Sequence, residues 1–475
     1  MTDEARHEEY QSPFSARYVS REMSRIFSAH HKIHTFRKLW IALAKAQKKL
    51  GLPISGAQIA QMERHARQID FVKADEFEKQ FRHDVMAHIH AFGEQCPEAK
   101  PIIHLGATSS YVTDNGDLIQ LKEALSLLHL KLVRVLRLLA GFAAKEASTP
   151  CLSYTHFQPA QPTTIGKRAC LWLQDFLLDA QDWERLLSSL PFLGAKGATG
   201  TQASFLSLFS GNHEKVRKLE LAIAKEFGFS KVLPIAGQTY TRKLDLNLLN
   251  AFESFAASAH KMATDIRLLA HENELFESFG KSQVGSSAMP YKRNPIYSER
   301  ICGIARFVMS LAQNPAYTAA TQWLERSLDD SSNRRLSIPE AFLGTDAILN
   351  LLVHVLSNLS VNRAAASEHL KEQLPFLAME NILMLAAKKG GDRQELHEKL
   401  RKIALASRGK SDPLSYIKAE IEKEFSLKRS EIAALLKPAA LLGRAPQQAK
   451  EFLRHDVAAY LRKQKKSIRI SPVEL

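Results

Sequence analysis

Cysteine is scarce in this chain: Cys96, Cys151, Cys170 and Cys302 are the only four in 475 residues, and no two stand in a C-x-x-C spacing. That pattern argues against a disulfide framework and a thiolate zinc site, and it suits reduced thiols. No apolar stretch reads as approaching a membrane span, and the opening MTDEARHEEYQSP has neither the hydrophobic core of a secretory signal nor an arginine-rich transit character. The expected location is the cytoplasm. Internal repeats, low-complexity linkers and any strand alternation long enough for a substantial sheet are also missing. With 45% hydrophobic and 24% charged residues, the chain fits neither a disordered nor a membrane class.

Acidic residues are in deficit. Lys and Arg number 65 against 50 Asp and Glu, a formal charge of +15. Such an excess suits either a polyanion-binding surface or a small substrate bearing phosphate and carboxylates. No nucleic-acid fold motif accompanies it. The densest basic run, Arg462-Lys463-Gln464-Lys465-Lys466 beside Tyr460, reads as a solvated helix end. Gly194, Gly197 and Gly200 lack the dinucleotide spacing, and the pairs and groups His30/His34 and His83/His88/His90 come with no ligand set for a metal.

What the chain does have is helical periodicity. Apolar residues recur at 3,4 spacing through Leu118, Leu121, Leu125, Leu128, Leu132, Val135, Leu139 and Phe142, then Leu248 to Leu269, then Ile338 to Leu359. The first stripe is expected to start at the turn formers Asp114-Asn115-Gly116-Asp117, and the third at a capping box of Ser337 and Glu340. Further helices are expected near 171–190 and 296–312. The fold class is therefore all-α, with a central bundle of long helices that pack at small crossing angles. Borders are expected near 111 and 364, giving an N-terminal helical domain 1–111, the bundle 112–364 and a C-terminal helical domain 365–475.

The run Gly285 to Pro295, GSSAMPYKRNP, concentrates chemistry. Gly285 frees the backbone, Pro290 and Pro295 stiffen it, and Pro295 suits the first turn of the helix that follows. Lys292, Asn294 and the amides of that helix N-terminus form equipment for a carboxylate that gains a second negative charge. Ser286 or Ser287 would then act on a proton, which demands an activated alkoxide. An ordinary surface connection is the competing reading of the bare loop.

The loop resembles the signature of the fumarase/aspartase superfamily of lyases. Thr155-His156-Phe157-Gln158-Pro159-Ala160-Gln161-Pro162 resembles the general-acid segment of its adenylosuccinate lyase branch. Arg17-Tyr18, Arg82-His83-Asp84, Gly106-Ala107-Thr108-Ser109, KGATGTQASF from Lys196, GQTYTRK from Gly237 and LDDSSNRR from Leu328 agree with that branch, in order along the chain. Tyr291 is closer to the animal-type subgroup, and beyond about Leu436 the resemblance is faint.

The resemblance implies an anti elimination of fumarate from adenylosuccinate, giving AMP, and from SAICAR, giving AICAR, without a metal or redox cofactor. Ser286 would take the proton, His156 would protonate the leaving nitrogen, Lys292 and Asn294 would hold the dianion, and His83 would meet substrate. Thr108, Ser109 and Gln238 would bind succinyl carboxylates. Arg17, Tyr18, Arg300, Arg326, Ser331 and Arg335 are candidates for the phosphate, and Arg82 and Asp84 flank His83. The partners implied are the nucleotide substrates and three further copies of the chain, in a homotetramer whose active sites are shared between subunits; membrane and nucleic acid are not expected partners. Rival readings are a related fumarate-releasing lyase, such as one acting on argininosuccinate, and a non-catalytic helical scaffold or nucleic-acid-binding protein on the same fold.

Overall fold

A computed structural model describes residues 10–277, 288, 289, 291–425 and 427–464. Five helices form the central bundle: Ser109–Lys145, Ile165–Ser189, Lys243–His271, Ile296–Leu311 and Asp330–Ser357. The Ser109–Lys145 helix packs on Ile165–Ser189 and on Asp330–Ser357, and Lys243–His271 packs on Ile296–Leu311. At 1.5 Å per residue the 37 residues of the first extend roughly 55 Å. All eight members of its expected apolar stripe, Leu118 through Phe142, are buried. Full burial of such side chains contributes about 1.5–3 kcal/mol each. Aromatic edges tighten the bundle: Trp183 lies 5.0 Å from Phe255, and Phe252 lies 4.8 Å from Phe342 in an edge contact.

Two helix starts differ from expectation. The first long helix begins at Ser109, so Asp114, Asn115 and Gly116 sit inside it and are buried. Their polarity serves tertiary bonds: Asn115 Nδ2 donates to Gly194 O at 2.9 Å, and Asn115 Oδ1 accepts from Gly194 N at 3.1 Å. The third stripe belongs to a helix that starts at Asp330, and Ser337 is not its cap. The Ser337 hydroxyl donates to Asn333 O at 2.9 Å, one turn back.

Strands are few. Pro150–Thr155 and Gln158–Thr164 form an antiparallel hairpin, and Leu275–Phe276 pairs with Ser360–Val361. The Ala29–Lys49 helix covers the N-terminal part of the bundle. A second core, built on Ile382, Leu383, Leu400, Ile417 and Ile421, belongs to the helices between Met379 and Leu435. After it the chain returns to the bundle, where the buried Tyr460 hydroxyl donates to Ala180 O at 3.2 Å and meets His129 Nε2 at 2.9 Å. Arg137 donates to Gln464 O at 2.8 Å, so this part of the basic run is tied to the bundle.

Against the expectation that no apolar stretch approaches a membrane span, one helix among the described residues, Asp330–Ser357, is long and apolar enough to cross a membrane. Its most apolar window is 72% buried within the protein, which marks a core helix. The four cysteines are buried free thiols, and burial pushes Cys151 up to about 11.

Asp179 is a charge the core tolerates poorly. It is 4% exposed, its Oδ1 accepts from Ser254 Oγ at 3.1 Å, and its Oδ2 has no partner among the described residues. Burial, helped by repulsion from Asp175 and Asp182, pushes its carboxyl from 3.8 to about 6 against the hydroxyl bonds that favour the ion. Because the folded value lies above the unfolded one, ionisation removes stability as pH rises from about 3.8 to about 6. Asp179→Asn should therefore be more stable than the parent at pH 8 by up to about 3 kcal/mol, and the gain should vanish below pH ~4. Denaturant melts at the two pH values measure it, and an equal effect at both would contradict this account.

Candidate active site

The hydrogen-bonded turns at the ends of three bundle helices create one cleft of about 1040 Å³. Its lining gathers Arg82, His83, Asp84, Thr108, Ser109, Gln238, Arg326, Ser331 and Arg335, residues far apart in sequence. Each has a local reason for its place. Arg82 ends the Phe71–Phe81 helix in the left-handed conformation, φ 52°. His83 then caps the Asp84–Gln95 helix through Nδ1, which accepts from Met86 N at 3.4 Å. With Nδ1 accepting, a neutral ring carries its proton on Nε2, which lies 3.3 Å from Ser109 Oγ. Thr108 stands at the N-cap of the Ser109–Lys145 helix, but its hydroxyl makes no capping bond. Capping therefore does not account for that side chain.

Opposite them, Arg326 Nη1 donates to Ser110 Oγ at 2.8 Å and to Gln238 Oε1 at 3.0 Å, while Gln238 Nε2 donates to Ala198 O at 2.9 Å. Arg335 reaches across to Asp84 Oδ2 at 3.2 Å. This wall needs glycine at two close approaches. A Cβ on Gly200, where φ is +82°, would stand 1.9 Å from Ala236 O, and one on Gly237 would stand 2.6 Å from Glu325 O.

The floor of the cleft is a buried ion lattice that the sequence alone did not reveal. Arg242 bonds Asp330 Oδ2 at 2.7 Å and Asp114 Oδ1 at 2.8 Å. Arg334 bonds Asp245 Oδ2 at 2.7 Å, Asp117 Oδ2 at 2.9 Å and the Tyr240 hydroxyl. The signal was present. Counting back from Leu118 by the helical step lands on Asp114, a carboxylate on the buried stripe.

The other expected residues stand elsewhere. His156 and Phe157 are the two central residues of the Pro150–Thr164 hairpin turn, with φ 53° and 55°, and both are exposed. Two positive φ values define a type I′ turn, which asparagine and glycine suit far better than histidine and phenylalanine. Holding the turn is thus a poor account of His156. Phe157 lines a separate cavity of about 590 Å³ with Lys167, Arg168 and Arg444, and Asn294 lines a third, of about 330 Å³, with Glu277 and Arg293. Lys292 is exposed, and Arg300 sits with its guanidinium 5.7 Å from the Tyr297 ring. Arg17 is exposed and Tyr18 half-buried at the end of the π-helical turn Phe14–Tyr18, ahead of the Arg21–Ile26 helix. Gly285, Ser286, Ser287 and Pro290 lie outside the described residues.

At the foot of the signature run one expectation is corrected. Pro295 is the N-cap of the Ile296–Leu311 helix rather than a residue of its first turn, and the helix amides expected to hold a substrate carboxylate are occupied. The Glu277 carboxylate accepts from Tyr297 N at 2.8 Å, Ser298 N at 2.9 Å and Ser298 Oγ at 2.8 Å. A carboxylate so placed satisfies orphan N–H groups and complements the helix dipole. Burial pushes Glu277 upward, against these bonds. Glu277→Ala leaves those donors without a partner and should cost about 2–4 kcal/mol in denaturant unfolding, with Glu277→Gln intermediate. A change under about 0.5 kcal/mol would count against the clasp.

Residues 10–310 match the family model described as lyase, and residues 375–452 match the one described as adenylosuccinate lyase C-terminus. The chain is 47% identical over 461 residues to adenylosuccinate lyase of Saccharomyces cerevisiae, covering 95% of each protein. It is 46% identical to the enzyme of Schizosaccharomyces pombe, covering 98% of each, and 46% identical to that of Schistosoma mansoni, covering 95% of each. Among solved structures, 3-carboxy-cis,cis-muconate lactonizing enzyme from Pseudomonas putida superposes with a TM-score of 0.83 at 24% identity, over 95% of this chain and 100% of that one. A fumarate lyase from Mesorhizobium superposes at 0.81 with 23% identity, over 94% of this chain and 100% of that one, and at these identities the likeness speaks for the fold alone. The length of these matches, together with a C-terminal model specific to one branch, establishes that the chain is a lyase and belongs to the adenylosuccinate lyase family.

Proposed function

We propose that this chain cleaves adenylosuccinate to AMP and fumarate, and SAICAR to AICAR and fumarate, by anti elimination in purine nucleotide biosynthesis. The observation that carries the reading is the cleft that gathers nine of the expected contact residues on one subunit. Its hydroxyls, amide and guanidinium groups suit a ligand with carboxylates and a phosphate.

In this mechanism Ser286, as an alkoxide, takes the proton beside a succinyl carboxylate. Lys292 and Asn294 stabilise the dianion that forms. The electron pair then closes the carbon–carbon double bond of fumarate, the carbon–nitrogen bond breaks, and His156 delivers a proton to the departing nitrogen. The strained turn that presents His156 supports a functional reason for that residue.

Phe157, next to His156, and Asn294, two residues from Lys292, line cavities that share no lining residue with the His83 cleft. One subunit then contributes the His83 cleft, another the His156 hairpin and a third the Lys292 segment, within a homotetramer. A cytoplasmic location belongs to the same reading, and four buried free thiols are in keeping with it.

Purified protein should release fumarate from adenylosuccinate and not from argininosuccinate. Release from neither substrate by folded protein would favour the scaffold reading. His156→Asn should hold or raise the melting temperature, because asparagine accepts a left-handed turn, while turnover falls by about 10²-fold or more. Ser286→Ala and His156→Ala, each inactive alone, should regain part of the activity when mixed under conditions of subunit exchange. Absence of recovery despite demonstrated exchange would sink the shared-site architecture.

A further inference from the structure

The middle of the bundle holds a polar cluster that the reaction does not use. Lys131, from the Ser109–Lys145 helix, and Asp346, from the Asp330–Ser357 helix, have side chains 2% and 0% exposed. They form an ion pair, and Lys131 Nζ also donates to Asn350 Oδ1 at 2.9 Å. Asn350 Nδ2 in turn donates to Asp346 Oδ2 at 3.1 Å. A bundle in search of stability alone would do as well with apolar side chains here, because taking two charges out of water costs as much as their attraction returns.

Two bonds leave the bundle, and both end on the same short segment. Asp346 Oδ2 accepts from Ser20 N at 2.8 Å, and Asn350 Nδ2 donates to Tyr18 O at 3.0 Å. These contacts join residues more than 300 positions apart. They grip backbone, so they fix the course of the chain whatever side chains it carries. The segment is pinned on its other side by Phe14, whose ring lies 5.6 Å from Phe307. Between these anchors Arg17 is exposed on the π-helical turn Phe14–Tyr18, which packs on the Asp330–Ser357 helix, so the two bonds fix the end of the turn that carries it.

We propose that Lys131, Asp346 and Asn350 are positioning residues for substrate phosphate: a buried clamp that sets the backbone at Tyr18 and Ser20 and so holds the Arg17 guanidinium at a fixed place. The inference rests on the reading of Arg17 as a phosphate contact. A bidentate contact with a phosphate tolerates little displacement, so loosening the clamp weakens recognition of the phosphate without touching the groups that move protons.

The test compares adenylosuccinate with its 5′-dephosphorylated nucleoside, using Arg17→Ala, Asn350→Ala and the double variant Lys131→Met/Asp346→Leu. The double variant removes both buried charges together, and Asn350→Ala frees the Tyr18 carbonyl with no charge left unpaired, so one serves if the other fails to fold. In all three, the preference for the phosphorylated substrate in kcat/KM should fall by about tenfold, and in the two clamp variants the loss should be carried by KM. If Arg17→Ala lowers the preference and neither clamp variant does, the clamp is refuted while the phosphate reading stands. If Arg17→Ala leaves the preference intact, the phosphate reading of Arg17 falls and takes the clamp with it. Equal losses on both substrates in the clamp variants would reveal a purely structural role and also overturn the proposal.

Discussion

The candidate cleft depends on charge buried in its floor. Arg242 and Arg334 are 2% and 9% exposed at their side chains, and they join the Ser109–Lys145, Lys243–His271 and Asp330–Ser357 segments through Asp114, Asp117, Asp245 and Asp330. Burial acts to lower both guanidinium pKa values, and the surrounding carboxylates, led by Asp114 for Arg242 and Asp245 for Arg334, together outweigh it. Neither arginine can lose its charge, so the lattice is all or nothing: removing a single partner strands a buried ion, at a cost of about 3–5 kcal/mol. Apolar contacts could hold three helices side by side, but they tolerate sliding. Directional bonds at 2.7–2.9 Å do not. The helix ends are thereby registered, and Ser109, Gln238, Arg326 and Ser331 face one another across a defined width.

The same economy appears at each place where the chain changes direction near the site. Glu277 fixes the start of the Ile296–Leu311 helix, and the Lys131 cluster fixes residues 18–20. At both places, bonds from distant residues hold the backbone of a segment that joins or starts a helix. The exposed Arg17 stands on the segment held at residues 18–20.

Much of this was legible in the sequence because periodicity reports burial directly. The stripes from Leu118, Leu248 and Ile338 lie on the helices that form the bundle, and the motif blocks gave the family. The helix starts were less legible because Asp114-Asn115-Gly116-Asp117 looks like a cap when local propensity is weighed alone. Tertiary partners override that propensity, since Arg242 and the backbone of Gly194 satisfy those side chains inside a helix. The lattice partners Arg242 and Arg334 stood inside quoted motifs, yet nothing local distinguishes a buried arginine from the exposed Arg335 beside it. Glu277, Lys131 and Asp346 escaped for a related reason. Each acts through a residue at least 20 positions away, and spacing carries no trace of such a partner.

The lengths of the helices bear on the proposed assembly. Leu171 and Leu178 are 47% and 59% exposed and stand seven residues apart on one face of the Ile165–Ser189 helix, with Leu268 exposed on the neighbouring Lys243–His271 helix. A seven-residue apolar spacing is the seam pattern of helices that pack alongside others, and among the described residues these leucines stay about half exposed. Leu171 and Leu268 also line the same cavity as the His156 hairpin residue Phe157. A second subunit laid along this seam would therefore bury apolar surface and approach the hairpin in the same movement. In that arrangement association and completion of the active site are driven by one interface, so a subunit would lose its surplus apolar surface and gain the remainder of its chemistry together.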